Sequence, residues 1–317
     1  MAQLGRGSVW WLALPVVIAA AAAMGQVASA QQGTPAPAAP QEKPRATAFV
    51  AASRFGDIFW ENDRTVHRIY SHDLEAVEPP SGSGIDAWAK RIRGPFSPRR
   101  LAAGGNYHEN QGDGMDFYDV GGARGAGGLG IWYDNKLWVS RNYRTHKILQ
   151  DGPDVAHFEV GYAPWPVDVV RKVWETRRFT LPMGTNFTQM VSTIDSDTHD
   201  PLVVGIGISK FSTSHLPGKL TSDRAGGRIS VWSEGPPEKG AMGVAIIVDP
   251  ASLIEVKQDA DNYLLLVRVT PGKPFVYYMG ATWSKGLDFQ TREQWDSYVK
   301  AQRPGFDPQA NYAVVKP

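Results

Sequence analysis

The sequence predicts an all-β protein, a large antiparallel β-sandwich with one C-terminal helix, and three observations lead there. First, the later chain reads as strand after strand. The segments 203–211 (VVGIGISKF), 228–233 (RISVWS), 242–248 (MGVAIIV), 263–269 (YLLLVRV) and 275–281 (FVYYMGA) are β-branched or aromatic runs bounded by Gly, Pro, Asn or Asp. Second, the gaps between them, such as 234–240 (EGPPEKG) and 270–274 (TPGKP), carry turn residues and no helical period. That favours antiparallel sheets over a βαβ fold. Third, one helix is clear, at 291–302 (TREQWDSYVKAQ). Thr291 and Gln294 make a capping box, and Trp295, Tyr298 and Val299 fall on one face. No repeat of solenoid or propeller period is present.

The chain has 317 residues. Arg6, an apolar run from Val9 to Met24 and then Ala28-Ser29-Ala30 give the basic, apolar and small-residue regions of a secretory signal. Residues 1–30 are therefore expected to be a cleaved signal peptide. The apolar run is shorter than the ~20 residues a bilayer-spanning helix needs. Residues 31–47, rich in Pro, Ala and Gln, cannot bury enough apolar surface to repay their ordering entropy and are expected to be a linker. Residues 48–317 are then a single β-sandwich domain, periplasmic or secreted, with no membrane span in the mature protein.

Composition narrows the function. Lys and Arg number 33 against 32 Asp and Glu, and removing Arg6 balances them. A neutral chain argues against nucleic acid or an anionic membrane as the main partner. The chain has no cysteine, which excludes disulfides, zinc–thiolate sites, iron–sulfur clusters and a thiol nucleophile. There is no G-x-S-x-G elbow and no H-E-x-x-H pair. Eleven Trp, eleven Tyr and twelve Phe fit either a large sandwich core or ring platforms for sugars.

Four segments concentrate unlike polar residues. In 58–70 (IFWENDRTVHRIY) a continuous strand would put Trp60, Asn62, Arg64, Val66 and Arg68 on one face. Phe59, Glu61, Asp63, Thr65, His67 and Ile69 would share the other. Neither face is apolar, which marks either a functional strand or an edge strand blunted by charge. In 84–91, Asp86, Trp88 and Lys90 share a face if the chain is extended, as in any amphipathic strand. In 106–121 (NYHENQGDGMDFYDVG), Gly112 and Gly114 around Asp113 predict a tight turn. An alternating stretch from Met115 would follow, bringing His108 near Asp116 and Tyr118. A histidine beside a carboxylate is the usual setting for a general base. Asn110, Asp113, Asp116 and Asp119 offer an alternative reading as a structural Ca2+ site, although their spacing of three is not that of an EF-hand. No other metal or cofactor is expected. The run 141–147 clusters Arg141, Arg144, His146 and Lys147, and Trp283 with Lys285 ends a strongly apolar strand. The basic cluster could meet a sugar acid, although a solvated face is the commoner outcome for such a run, and the strand end with Trp283 and Lys285 suits a groove rim.

The segments 60–64 (WENDR), 83–91 (SGIDAWAKR), 107–121 (YHENQGDGMDFYDVG), 148–153 (ILQDGP), 175–187 (ETRRFTLPMGTNF) and 277–285 (YYMGATWSK) together resemble a bacterial exported family of unknown function. That family is often encoded with, or fused to, unsaturated-uronyl hydrolases in loci for plant-polysaccharide breakdown. The resemblance implies a galactose-mutarotase-type supersandwich and a carbohydrate substrate, pectin-like uronic-acid glycans among them, and supplies no catalytic residue. The chemistry of the residues supplies the roles. For β-elimination, His108 or Tyr118 would be base and acid, with Asp116 orienting His108. Arg64 and Asn62 would neutralise the substrate carboxylate. Trp60, Tyr107, Trp283, Lys147 and Lys285 would hold the sugar. The alternatives are a glycoside hydrolase or mutarotase-like isomerase, with Glu61 paired to Asp116 or His108, and a sugar-binding module without turnover.

Overall fold

A computed structural model describes residues 42–78 and 82–309. The expected signal peptide lies outside these residues, as does the expected linker up to residue 41. In chain order, β1 (Thr47–Ala51), β2 (Asp57–Glu61), β3 (Val66–Ile69), β4 (Ile85–Lys90) and β5 (Gly114–Met115) form one five-stranded sheet. Helix α1 (Ser97–Ala103) lies between β4 and β5. There follow β6 (Ala126–Tyr133), β7 (Lys136–Trp138), β8 (Thr145–Asp151), β9 (Val155–Pro166), β10 (Lys172–Pro182), β11 (Phe187–Ser196) and β12 (Leu202–Ser209). The last strands are β13 (Lys219–Asp223), β14 (Arg228–Glu234), β15 (Ala241–Val248), β16 (Leu253–Gln258), β17 (Asn262–Val269) and β18 (Pro274–Trp283), before α2 (Arg292–Ala301). An eight-stranded sheet runs β13-β14-β15-β18-β11-β10-β9-β8 and a second five-stranded sheet β16-β17-β12-β6-β7, with every ladder antiparallel. The chain is thus the expected all-β antiparallel sandwich with a C-terminal helix. Its main core draws buried residues from all three sheets, among them Ile58, Leu129, Phe158, Ile206, Val244 and Met279.

The expected strands of the later chain appear as β12, β14, β15, β17 and β18, within one or two residues at most ends. The Thr291–Gln294 capping box forms, and Trp295, Tyr298 and Val299 bury against Phe187 and Tyr278 on the outer side of the large sheet. No helix among the described residues is long and apolar enough to cross a membrane.

Two expectations need correction. Thr47, assigned to the linker, opens β1. Its hydroxyl donates to Asp151 Oδ1 at 2.5 Å, and the buried Ala46 N–H reaches Pro153 O at 2.7 Å. The stretch 58–70 is not one strand but the β2–β3 hairpin. Asn62 Oδ1 accepts from the backbone N–H of Arg64 (2.8 Å) and Thr65 (3.1 Å), folding the chain back where simple alternation would carry it on. The faces are reassigned accordingly. Trp60 pairs across the hairpin with His67 and turns into the main core. Phe59 pairs with Arg68, and Arg68 with Asp86, so these three share the opposite face. On that outer face α1 and the loop after it form a small second core around Phe59, Trp88 and Phe96.

Candidate functional site

The outer face of the first sheet ends in a cleft of about 410 Å³, roofed by the segment 107–121. Glycine makes the turn possible. Gly114 sits at φ +141°, where an added Cβ would lie 2.1 Å from the Ala89 carbonyl oxygen, so only glycine lets β5 pair with β4 here. Beyond Met115 the ladder stops, but the expected alternation persists in burial. Asp116, Tyr118 and Val120 turn inward while Asp119 faces out. The Asp116 N–H donates to Tyr107 O at 2.9 Å, which closes the loop on itself. Tyr107 is fixed by stacking on Trp88, centroids 4.9 Å apart at 16°.

Three acids surround one guanidinium at the cleft floor. Arg68 donates from Nε to Asp57 Oδ2 at 2.8 Å, and its Nη2 lies 2.6 Å from the same oxygen. Its Nη1 is 3.9 Å from Asp86 Oδ2, and the group lies over the Tyr70 ring at 4.7 Å. Asp86 Oδ2 accepts from Trp88 Nε1 at 3.0 Å, and its Oδ1 is buried with no hydrogen-bond partner among the described residues. Burial lifts the Asp86 carboxyl well above the ordinary carboxylate range, and the charge of Asp116 lifts it further. Burial likewise raises Asp116 to about 7, against the opposing pull of Arg68. Both carboxyls therefore hold their protons where an exposed aspartate would be ionised.

His108 sits at the rim, with its side chain 56% exposed and Nδ1 3.1 Å from the Asp116 carbonyl oxygen and 3.7 Å from Asp116 Oδ2. A carbonyl oxygen can only accept, so Nδ1 carries the hydrogen and the neutral ring keeps its lone pair on Nε2. Tyr118 lines the cleft with its hydroxyl buried beside Ser209 and Ser212 but without a hydrogen bond of normal geometry. Burial raises its phenol above the usual range, so it remains a proton donor. Arg54, from a short 3-10 turn after β1, reaches over Tyr107 (5.6 Å to the ring centroid) and pairs with Glu78 at 2.7 Å.

Of the residues singled out from the sequence, His108, Asp116, Tyr118 and Tyr107 meet in this cleft. The other residues given catalytic or sugar-binding roles, Glu61, Asn62, Arg64, Trp60, Trp283, Lys147 and Lys285, do not line it. Glu61 is fully buried and serves the fold: it pairs with Lys90 Nζ at 2.8 Å and accepts from the backbone N–H of Phe96 and Ser97 at the start of α1. Asn62 is the turn residue of the hairpin, its amide also holding Pro182 O and Thr185 O at 2.7 Å. Arg64 is tied to Asp288 and lies 3.7 Å from Asp63. Trp60 and Trp283 are core rings, their indoles donating to Thr188 Oγ1 (3.0 Å) and Lys239 O (2.7 Å). Lys147 is exposed on β8, an edge strand, and Lys285 holds the carbonyls of Pro237 and Glu238 at 2.8 Å. The considered calcium ligands are dispersed. Asn110 caps Gly112 N–H at 2.9 Å and Asp113 pairs with Arg99 at 2.5 Å. Among the described residues no three His, Asp or Glu converge as metal ligands would.

Sequence reasoning missed Arg54, Arg68 as a cleft residue, and Asp86. Arg68 and Asp86 were within reach: once the hairpin turn at Asn62 is recognised, both fall on the Trp88 face.

A family profile described as a domain of unknown function, DUF4861, matches residues 17–307. The chain belongs to that family. This DUF4861 chain is 26% identical over 263 residues to "Uncharacterized protein P7" of Formosa agariphila, a match covering 78% of this chain and 64% of that protein. It therefore spans less than two-thirds of the relative's length. Among solved structures, a chain described as a kojibiose phosphorylase from human microbiome aligns with TM-score 0.45 and 8% identity, over 82% of this chain and 36% of that one. A GH36 α-galactosidase from Geobacillus stearothermophilus aligns with TM-score 0.36 and 12% identity, over 75% and 41%. Likeness at this level fixes neither substrate nor catalytic residues.

Proposed function

We propose that the cleft is a carbohydrate-processing active site that cleaves uronic-acid-containing oligo- or polysaccharides by β-elimination, in a protein exported from the cytoplasm. The observation that carries the reading is the pairing of His108, its Nε2 lone pair set free by the Asp116 carbonyl, with an Asp116 carboxyl that keeps its proton up to about 7. Elimination needs a base for the C5 proton, an acid for the departing oxygen and stabilisation of the enolate-like carboxylate. His108 Nε2 takes the C5 proton. The C4–O bond breaks as the C4–C5 double bond forms, and the Tyr118 hydroxyl gives its proton to the leaving oxygen. A protonated Asp116 donates a hydrogen bond to the substrate carboxylate, as an un-ionised carboxylic acid can in an apolar site. Arg54 takes the charge-neutralising role first given to Arg64, and Tyr107 offers its ring to the sugar.

One observation favours a second reading. Two buried carboxyls, both raised by burial and one raised further by its neighbour's charge (Asp86 by Asp116), stand beside Arg68, the kind of acid–base pair used by glycosidases and mutarotase-like isomerases. Here Asp86 replaces Glu61 as the partner of Asp116. Binding without turnover loses its expected platforms, because Trp60 and Trp283 are buried.

The test is near-ultraviolet absorbance, together with a reducing-end assay, on purified protein with a panel of uronate polysaccharides and their oligomers. A rise in absorbance that vanishes in His108→Ala supports elimination. New reducing ends without absorbance move the reading to the carboxylate pair, and neither signal overturns both.

A further inference from the structure

The cleft does not stop at His108. Its wall residues Phe117 and Asp119 also line a second hollow of about 500 Å³, and Asp119, Val120 and Gly121 also line a third of about 230 Å³. The second and third hollows meet at Phe211, which is 45% exposed. All three therefore share Asp119 and lie side by side on one stretch of surface.

We infer that this outer arm is a second carbohydrate subsite, with Phe211 as its platform, that takes an uncharged sugar next to the unit held in the cleft. The inference rests on the proposed carbohydrate reading and deepens it. Four observations carry it. The platform is pre-organised: Ser212 O accepts from the Asp119 N–H at 2.6 Å, Ser212 Oγ donates to Ser233 Oγ at 3.2 Å, and Gly218 N–H donates to Lys210 O at 2.8 Å. The arm is polar, and the Lys239 ammonium lies 6.0 Å from the centroid of its Phe117 ring. Asp119, Asp261 and His215 are its titratable residues, and no lysine or arginine lines it among the described residues. Ser212 is buried and engaged within the loop, so the neutral polar side chains beside the ring are those of Thr213, whose hydroxyl donates to Glu234 O at 2.9 Å and can still accept, and Ser214. An exposed phenyl ring flanked by such groups suits the apolar face of a sugar. A second uronate there would meet two acids with no guanidinium to offset them, unlike the unit beside Arg54 and Arg68.

The substrate class follows: a chain in which a uronate is flanked by a neutral sugar, at least three units long, rather than a homopolymer of uronate. The experiment uses the full protein, the Phe211→Ala variant and the Asp119→Asn variant. The probes are size-separated oligosaccharides, disaccharide to hexasaccharide, from a polysaccharide alternating uronate with neutral sugar, and the matching series from a homopolyuronate. Binding by calorimetry and turnover are both read. We expect wild-type affinity to climb with length only in the alternating series. Phe211→Ala should remove that gain, roughly tenfold, while leaving the homopolyuronate disaccharide unchanged. Asp119→Asn should improve the homopolyuronate series. Equal length dependence in both series, or a Phe211→Ala protein that keeps the gain, overturns the arm. Failure of the catalytic reading looks different: His108→Ala would then turn over normally while the length dependence still responded to Phe211.

Discussion

Replacing Asp116 by asparagine tests the central electrostatic claim without reference to any substrate. In the folded protein the Asp116 carboxyl is raised from 3.8 to about 7, chiefly by burial. Its folded value lies above its unfolded value, so its contribution to stability is full below about 3.8 and is lost as pH rises, the loss being complete above about 7. At 1.36 kcal/mol per pH unit, a gap of about three units corresponds to roughly 4 kcal/mol, of which about 2 falls between pH 5 and 7 and about 3 between pH 5 and 8. An asparagine side chain cannot ionise and escapes this loss. It also relieves Asp86, whose carboxyl the Asp116 charge raises. The His108 contact survives, because the acceptor of its hydrogen bond is the backbone carbonyl. Urea unfolding of both proteins from pH 5 to 8 gives the difference curve, in which groups that do not interact with Asp116 cancel and the Asp86 relief is included. Asp116→Asn should gain about 3 kcal/mol on wild type across that range. On the proposed elimination, the variant should turn over more weakly and should lack the fall above about pH 7 expected of wild type as Asp116 ionises. A flat difference curve refutes the buried, protonated carboxyl and with it the role given to Asp116.

Two further substitutions separate fold from site. Glu61→Gln leaves the Lys90 ammonium, whose side chain is 1% exposed, without its counterion, and should cost about 3–5 kcal/mol in chemical denaturation. Activity per folded molecule should stay at the wild-type level; a selective loss of turnover would return Glu61 to the catalytic machinery. Arg54→Ala should raise KM for a uronate substrate roughly tenfold with kcat little changed, as expected for an interaction made equally in ground and transition states. Arg64→Ala should leave KM alone. The reverse pattern would restore the cation assignment made from sequence.

How much was legible in the sequence varies with the kind of physics involved. The strands of the later chain were readable because each buries a run of β-branched or aromatic residues between turn residues, and nothing in the fold competes with that preference. The capping box was readable because Thr291 and Gln294 act on backbone within four residues of themselves. The hairpin at Asn62 was not read, although its signal was local. One side chain accepting two backbone N–H groups overrode a β-pattern that looked continuous from Ile58 to Tyr70. That single error placed Trp60 in the groove when it belongs to the core, and hid Arg68. His108, Asp116 and Tyr118 were found because a glycine-framed turn brings them together within eleven residues. Arg54 and Asp86 were not assigned to the site, since only the sheet places β2, β3, β4 and the 107–121 segment side by side.

The outer face of the first sheet carries two buried charge clusters, and their stoichiometry distinguishes them. Glu61 and Lys90 are matched one to one, and the spare carboxylate capacity is filled by backbone N–H groups. Every charge there has its partner, so the cluster has nothing left to offer a substrate. At the cleft, three carboxyls of Asp57, Asp86 and Asp116 face Arg68, with Arg54 contributing from farther off. They cannot all be ionised at acceptable cost in a buried site, so protons are retained; Asp86 Oδ1 has no hydrogen-bond partner among the described residues, and the Tyr118 hydroxyl has only Ser209 and Ser212 beside it, in poor geometry. A fold gains nothing in stability from such an excess; replacing it with apolar side chains of similar size is the cheaper solution. An unsatisfied acid cluster beside an oriented imidazole is therefore better explained by the proton transfers it can perform than by the sheet it sits on.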